Sequence, residues 1–426
     1  MAFDQSKFNA EELSNTCRAW LVDNLPHGWM AAIDAGDTQR VSVLRRSLNT
    51  REFLVRFGNA GYATPTWPAE YGAGLSLDPG QARPVNEMLR RYEVPRPHNI
   101  IGIGMGGPTV LAWGSEELKA RLIRPCATDE EIWCQLFSEP GAGSDVAGLA
   151  TRAVRDGDEW VINGQKVWTS LAHQAKWGLL VARSDVNVPK HRGLTYFVID
   201  MDQPGVVVRP LTQITGDAEF NEVFLEDARV PDSMRLGAEG DGWRVTLTTL
   251  MNERVSLSGA GSVGGDAVGG SPVDELIARH SPCSDPHARD RLAQAYIEGR
   301  IVKMTNDRAA SQRRSGGEAG PEGSVTKLLQ AELNKRLQKL AVDLEGPGGV
   351  AWDGPGLKLE ESRGVIGGGG HEPVEVARGF LRAQANTIEG GTSNIMRNIL
   401  GERVLGLPKE PDPSKDPAWK DVPRSA

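Results

Sequence analysis

The sequence predicts an α+β chain of three domains, and three observations carry that reading. Apolar residues recur at helical spacing through residues 7–58 and again through 291–314 and 324–344. Between these helical stretches lies a series of short apolar runs separated by turn signals. No segment among those runs is long enough to be a crossover helix, so an antiparallel sheet is expected rather than βαβ units. The expected order is an N-terminal helical domain (1–130), a middle antiparallel β domain (131–236), a C-terminal helical domain (237–407) and a disordered tail (408–426).

In the first domain Phe53, Leu54 and Phe57 mark one helix face. The Gly/Pro-rich GYATPTWPAEYGAGLS (61–76) reads as loop. Helix resumes at Pro84–Arg91 and at SEELKARLI (115–123), with Ser115 as its N-cap. In the middle domain Asp156-Gly157 and Asn163-Gly164 read as hairpin turns. WGLLVAR (177–183), LTYFVID (194–200) and VVVRPL (206–211) read as strands. The third domain begins near Gly242 and closes with two helices, VARGFLRAQANTI and SNIMRNILGERVLGL, on either side of a glycine pair. GAGSVGGDAVGG (259–270) is compatible with a loop or a weak helix end. The proline-rich, charged residues after 407 carry too little apolar surface to predict order.

Composition excludes several functions. Hydrophobic residues make up 39% and charged residues 24%, as in ordinary globular proteins. A net charge of −8 without a basic stripe argues against nucleic acid as the main partner. Four cysteines lack CxxC spacing, which predicts a reducing compartment. The seven histidines show no metal-ligand spacing, so no metal is expected. No apolar run approaches the roughly 18 residues of a membrane span, and MAFDQSKFNAEEL has no apolar leader, so a cytoplasmic protein is expected.

Three motifs bear on chemistry. GIGMGG (102–107) matches GxGxxG, but no βαβ unit surrounds it and Pro108 follows at once, so a dinucleotide fold is not inferred. QLFSEPGAGSD (135–145) runs from a strand into a turn of small residues, where backbone N–H groups could meet an anion. An ordinary polar turn fits that stretch equally well. WTS (168–170) ends a strand, and taken alone Trp168 reads as a buried tryptophan.

Together, TWPAEYG, MGGPTV, EEIWCQLFSEPGAGSD, DEWVINGQKVWTS, NERVSL and GGTSNIMRNILGERVLGLP occur in one order, and the chain resembles the acyl-CoA dehydrogenase family from about residue 55 to 408. The resemblance implies a helical domain, a β domain and a C-terminal four-helix bundle. It also implies FAD-dependent α,β-dehydrogenation of an acyl-CoA thioester in fatty-acid or sterol side-chain oxidation, with electrons passed to an electron-transfer flavoprotein. Homodimers or homotetramers are implied, with mixed tetramers as an alternative. By match to the family motifs, Phe137 and Ser138 would lie along the flavin, Trp168 would cover it and Ser170 would bond near its reactive nitrogen. Ser144 would contact the CoA pantetheine or pyrophosphate, and Thr392 and Asn394 would hold the FAD diphosphate or adenosine.

The family chemistry needs a carboxylate for the α-proton and donors for the developing enolate. Many members place the glutamate directly before Gly-Thr-Ser. Here that position is Gly390, and Glu389 falls one residue early. A minority, the isovaleryl- and long-chain-type enzymes, instead carry the base on the first helix of the C-terminal domain, directly before an arginine. Glu253-Arg254 in NERV, together with Gly390, fits that pattern. The resemblance thus implies Glu253 as base, Arg254 as its neighbour and the Gly390 N–H as a donor to the thioester carbonyl. Two departures stand out. QRRSGGEAGPEG (312–323) lacks the family's Arg-x-x-Phe-Gly contact to a neighbouring FAD, with Arg313 or Arg314 as substitutes. Asp343-Leu344-Glu345-Gly346 stands where the family has a glutamine before Phe-Gly-Gly, and an acid there would disfavour an FAD phosphate. These departures keep open a weakly catalytic FAD-binding subunit of a mixed tetramer; an oxidase on the same fold is a third reading.

Overall fold

A computed structural model describes residues 9–257, 271–314, 322–350 and 376–422. The N-terminal part packs α1 (Ala10–Asn24), α2 (Trp29–Asp34), α3 (Thr38–Ser47), α4 (Thr50–Asn59) and α5 (Arg83–Arg91) around Phe53, Leu54, Phe57, Leu21 and Leu89. Side-chain caps start several of these helices: Asn9, Asp37 and Asn49 each accept a backbone N–H of the first turn. A π-helical turn over Gly102–Gly106 leads into α6 (Gly107–Trp113), and Ser115 caps α7 (Glu116–Ala127). GIGMGG is therefore helical packing, as the missing βαβ context implied.

The middle part is an eight-stranded sheet: β1 (Trp133–Leu136), β2 (Arg152–Asp156), β3 (Glu159–Ser170), β4 (Trp177–Arg183), β5 (Leu194–Asp200), β6 (Val206–Leu211), β7 (Phe220–Pro231) and β8 (Arg235–Leu236). The order is β6-β7-β3-β2-β4-β5-β8, with β1 beside β4. Most pairings are antiparallel, as expected; β1 and β4 run parallel, and β2 touches β4 in parallel at a single residue pair. Strands β4 and β5 are buried along almost their whole length, which explains their continuous apolar sequences.

Two expectations fail here. Asp156-Gly157 does turn β2 into β3, but Asn163-Gly164 lies inside β3, at a shift of register against β7. The Asn163 side chain there exchanges hydrogen bonds with Asp227, donating to its carboxylate at 2.9 Å and accepting its N–H at 3.0 Å. Nor is the C-terminal stretch a disordered tail through its described residues. Trp419 is buried against the β domain, its ring 4.3 Å from the Arg183 guanidinium. The Trp419 and Lys420 N–H groups bond the carbonyls of Val188 and Val186 at 2.9 and 3.1 Å. One aromatic anchor supplies the apolar burial that the charged residues around it lack.

The C-terminal part contains α8 (Gly242–Leu257), α9 (Ser271–Arg279), α10 (Pro286–Arg314), α11 (Glu322–Glu345), α12 (Val376–Ala383) and α13 (Ser393–Arg403). Helix α11 is central and touches α8, α9, α10, α12 and α13. Asp343 and Glu345 form ion pairs within this part, with Arg291 and Lys339 and with Arg279. GAGSVGGDAVGG and the Arg313 and Arg314 side chains fall outside the described residues. Among the described residues no helix is long and apolar enough to cross a membrane, and no His/Cys/Asp/Glu group is arranged to hold a metal.

Candidate active site

The turn after β1 is fixed from beneath. Glu139 and Ala142 exchange backbone hydrogen bonds of 2.9 and 3.1 Å, and the Ser138 carbonyl accepts the Val167 N–H at 2.9 Å. Lys166, fully buried on β3, donates to the Phe137 carbonyl, to Glu139 Oε1 and to the Val181 carbonyl at 3.1, 2.8 and 2.9 Å. Glu139 also accepts the N–H groups of Ala150 and Thr151. Burial works against the Glu139 charge, but Lys166 and these donors outweigh it and hold the carboxyl below its ordinary value. A Cβ at Gly141 or Gly143 would meet nothing within 4 Å, so packing inside this chain does not explain the small residues there.

Trp168 overturns its bland reading. It is 62% exposed, and its backbone is left-handed with φ +61° at a register shift between Lys166 and Thr169. A bulky residue in that conformation stores of order 1–3 kcal/mol and is held there by its surroundings. The result is a tryptophan face open to solvent beside the glycine-rich turn after β1. Its edge meets Phe220 with 6.1 Å between ring centres, and Ser170 pairs with Phe220 on β7.

Phe137, buried at the start of the turn, meets Tyr196 edge to face at 5.8 Å. The Tyr196 hydroxyl is 2.9 Å from Thr249 Oγ1 on α8, which is 3.0 Å from Thr109 Oγ1. Glu253 lies one turn beyond Thr249 and so on the same helix face. Burial pushes the Tyr196 phenol far above its ordinary value, and the nearby Glu253 carboxylate acts in the same direction. Burial pulls the Lys327 ammonium down, opposed by the carboxylates of Glu389, Glu253 and Glu332. The Glu253 charge is thus felt both at Tyr196 on β5 and at Lys327 on α11. The π-helical turn packs closely on this part of α8: a Cβ at Gly104 would come within 2.5 Å of Ser256 Oγ. The Arg254 side chain lies outside the described residues.

The loop before α13 holds the Glu389 carboxylate in a set of side-chain hydrogen bonds. Arg382 on α12 donates to both Glu389 oxygens at 3.1 Å, and Asn386 Nδ2 donates to Oε1 at 2.7 Å. Gly390 and Gly391 follow with φ of +59° and +90°, conformations suited to glycine, and Thr392 then caps α13 by accepting the Ile395 N–H at 3.1 Å. A cavity of about 530 Å³ opens at this helix start, lined by Ser144, Thr392, Ser393, Asn394, Glu332 and Lys335 among others.

The structure therefore gathers Ser144, Thr392 and Asn394 in one cavity. It joins Phe137 to the Glu253 helix through Tyr196 and Thr249, and Trp168 to the Gly390 loop through Phe220, Arg382 and Glu389. The sequence reading missed Lys166, Tyr196, Arg382 and Asn386. Lys166 alone left a local signal, a lysine at an inward-facing position of the QKVW strand.

The acyl-CoA dehydrogenase N-terminal, middle and C-terminal domain models match residues 11–130, 134–228 and 240–405. The chain is 39% identical over 406 residues to acyl-CoA dehydrogenase IpdE1 of Mycobacterium tuberculosis, covering 94% of this chain and 99% of that protein. It is 37% identical to the IpdE1 of Mycolicibacterium smegmatis, covering 94% and 98%. Among solved structures it is similar to the Tcur3481-Tcur3483 steroid ACAD, with TM-score 0.70, 25% identity and 94% and 98% of the two chains covered. It is similar also to the ChsE4-ChsE5 complex of Mycobacterium tuberculosis, with TM-score 0.69, 25% identity and coverage of 96% and 100%. The chain belongs to the acyl-CoA dehydrogenase family.

Proposed function

We propose that this chain desaturates an acyl-CoA thioester between its α and β carbons, with Glu253 as the base. FAD is the cofactor of the family, and the residues present fit it. The cavity at the start of α13 offers Thr392, Asn394 and Lys335 to the cofactor, beside Glu332, with the helix N–H groups that no intrahelical acceptor satisfies, while Ser144 in the same lining is left for the CoA. Trp168 supplies an exposed aromatic face for a flat ring. When bound, FAD supplies the two-electron acceptor for the β-hydride.

The chain's own residues do the rest. The Glu253 carboxylate takes the α-proton, the electron pair left at the α carbon forms the new double bond, and the β-hydrogen leaves as hydride. The Gly390 N–H bonds the thioester oxygen while negative charge builds there. The observation that carries this reading is the position of Glu253 on α8, one turn from the Thr249–Tyr196 contact that reaches Phe137. Glu389 is held by Arg382 and Asn386 at the loop before α13.

We take the substrate to be a fatty acyl or sterol-derived thioester, and an electron-transfer flavoprotein to reoxidise the enzyme. Family membership supports the second, and likeness to a steroid dehydrogenase structure supports the first. Exposed Ile297, Ile301 and Met304 recur on α10 at helical spacing and suit burial against a further chain, of the same or a related kind. Anaerobic titration with straight-chain, branched and steroid thioesters tests the reaction. Bleaching of the flavin by one class is expected; its absence with every class would refute the proposal. Oxygen uptake without an added acceptor would identify an oxidase instead.

A further inference from the structure

Glu389 is a costly residue to leave without a role. It stands between a 3₁₀ turn and two left-handed glycines, and its carboxylate is bound at both oxygens. Its partners are themselves anchored. Asn386 accepts from Asn334 Nδ2 at its amide oxygen (2.6 Å) and from Lys327 Nζ at its carbonyl (2.7 Å), both on α11. Arg382 reaches across to the β domain, with Nε 3.3 Å from Glu219 Oε1 and its guanidinium 5.9 Å from the Phe220 ring. Phe220 is the residue against which Trp168 rests. The Glu389 side chain is therefore tied on one side to α11 and on the other to the strand end bearing the exposed tryptophan.

We propose that Glu389 is a positioning residue: through Arg382 and Asn386 it sets the Gly390 N–H at a fixed height relative to the Trp168 wall, so that the thioester oxygen meets its donor. The proposal rests on the dehydrogenase reading above. Two successive left-handed glycines have wide conformational freedom, so the loop needs an anchor immediately before them, and a carboxylate with three charge-assisted or polar donors provides one. The same bonds explain why a glutamate beside the site does not act as its base: its oxygens are turned to Arg382 and Asn386.

The role predicts a pattern that neither a base nor a bystander produces. Glutamine keeps an acceptor oxygen for Arg382 and Asn386, so E389Q should retain kcat within about fivefold. E389A should lose about 10- to 100-fold in kcat, the scale of a displaced oxyanion donor, with KM and FAD content little changed. N386A, which loosens the loop from the α11 side, should fall between them. The direct readout is the carbonyl stretch of a bound enoyl thioester, shifted to lower frequency in wild type and E389Q and relaxed in E389A. If E389Q were as inactive as E389A, Glu389 would be the base and the positioning role would be wrong. An unshifted kcat and carbonyl band in E389A, beside a shifted band in wild type, would remove Glu389 alone. No carbonyl shift for any thioester bound to wild type would overturn the donor, and with it both readings.

Discussion

Lys166 and Glu139 form a buried ion pair of 2.8 Å directly beneath the turn that leads to Ser144. All three lysine donors are used, two of them on the carbonyls of Phe137 and Val181. Removing one partner leaves a buried charge, so K166M should lose about 3–5 kcal/mol of stability. FAD retention should fall with it. The double variant K166M/E139L should be more stable than K166M, a coupling that urea denaturation of the four proteins measures.

Trp168 should be dispensable for the apoprotein. Glycine at that left-handed position relieves about 1 kcal/mol of backbone strain, while the exposed indole loses little burial. Denaturation of apo W168G should therefore show stability equal to or above wild type. Its FAD affinity, followed by flavin fluorescence, should weaken.

The strap around Trp419 should hold the β4–β5 loop and, through it, the glycine-rich turn after β1. Lys190 in that loop bonds Asp145 at 3.0 Å and Ser414 at 2.9 Å, and Arg183 donates to the carbonyls of Ala147, Leu149 and Lys190. W419A should lose about 3 kcal/mol, the low end for a core tryptophan because the strap can leave as one piece. Amide exchange at Trp419 and Lys420 should become fast in this variant.

One pH effect follows from His98, whose ring nitrogen lies 3.0 Å from Asp129. The hydrogen bond to Asp129 raises its folded pKa above the ordinary 6.5, against the effect of burial. The contribution is therefore complete below about pH 6.5 and fades as pH rises through the raised value. The imidazole is largely exposed, so the effect stays within the 0–1 kcal/mol of surface pairs. The stability difference between wild type and H98Q should be larger at pH 6 than at pH 9.

What the sequence disclosed and what it hid divide along local and non-local lines. The apolar runs at 177–183 and 194–200 became β4 and β5 because their burial is written in consecutive residues. Asn163-Gly164 misled because Asp227, sixty-four positions away, turned a turn signal into a point of strand registry. The order of residues 408–422 depends on Arg183 and the Val186–Val188 backbone, again far off in sequence. Trp168 was misjudged because its exposure follows from a backbone angle that residue type does not encode. At the site, motif positions marked Ser144, Thr392 and Asn394, which the fold brings to one cavity. The engagement of Glu389 by Arg382 could not be read in advance, since it requires the path of the chain between α12 and α13.

Exchange of the α-proton tests the placement of the base at Glu253 most directly, without requiring turnover. Wild type, E253Q and E389Q would be incubated in D2O with a thioester that binds but cannot lose its β-hydride, and deuterium at the α carbon followed by mass spectrometry. Exchange is expected in wild type and E389Q, with none above background in E253Q. Exchange at the wild-type rate in E253Q, with none in E389Q, would place the base at Glu389 instead.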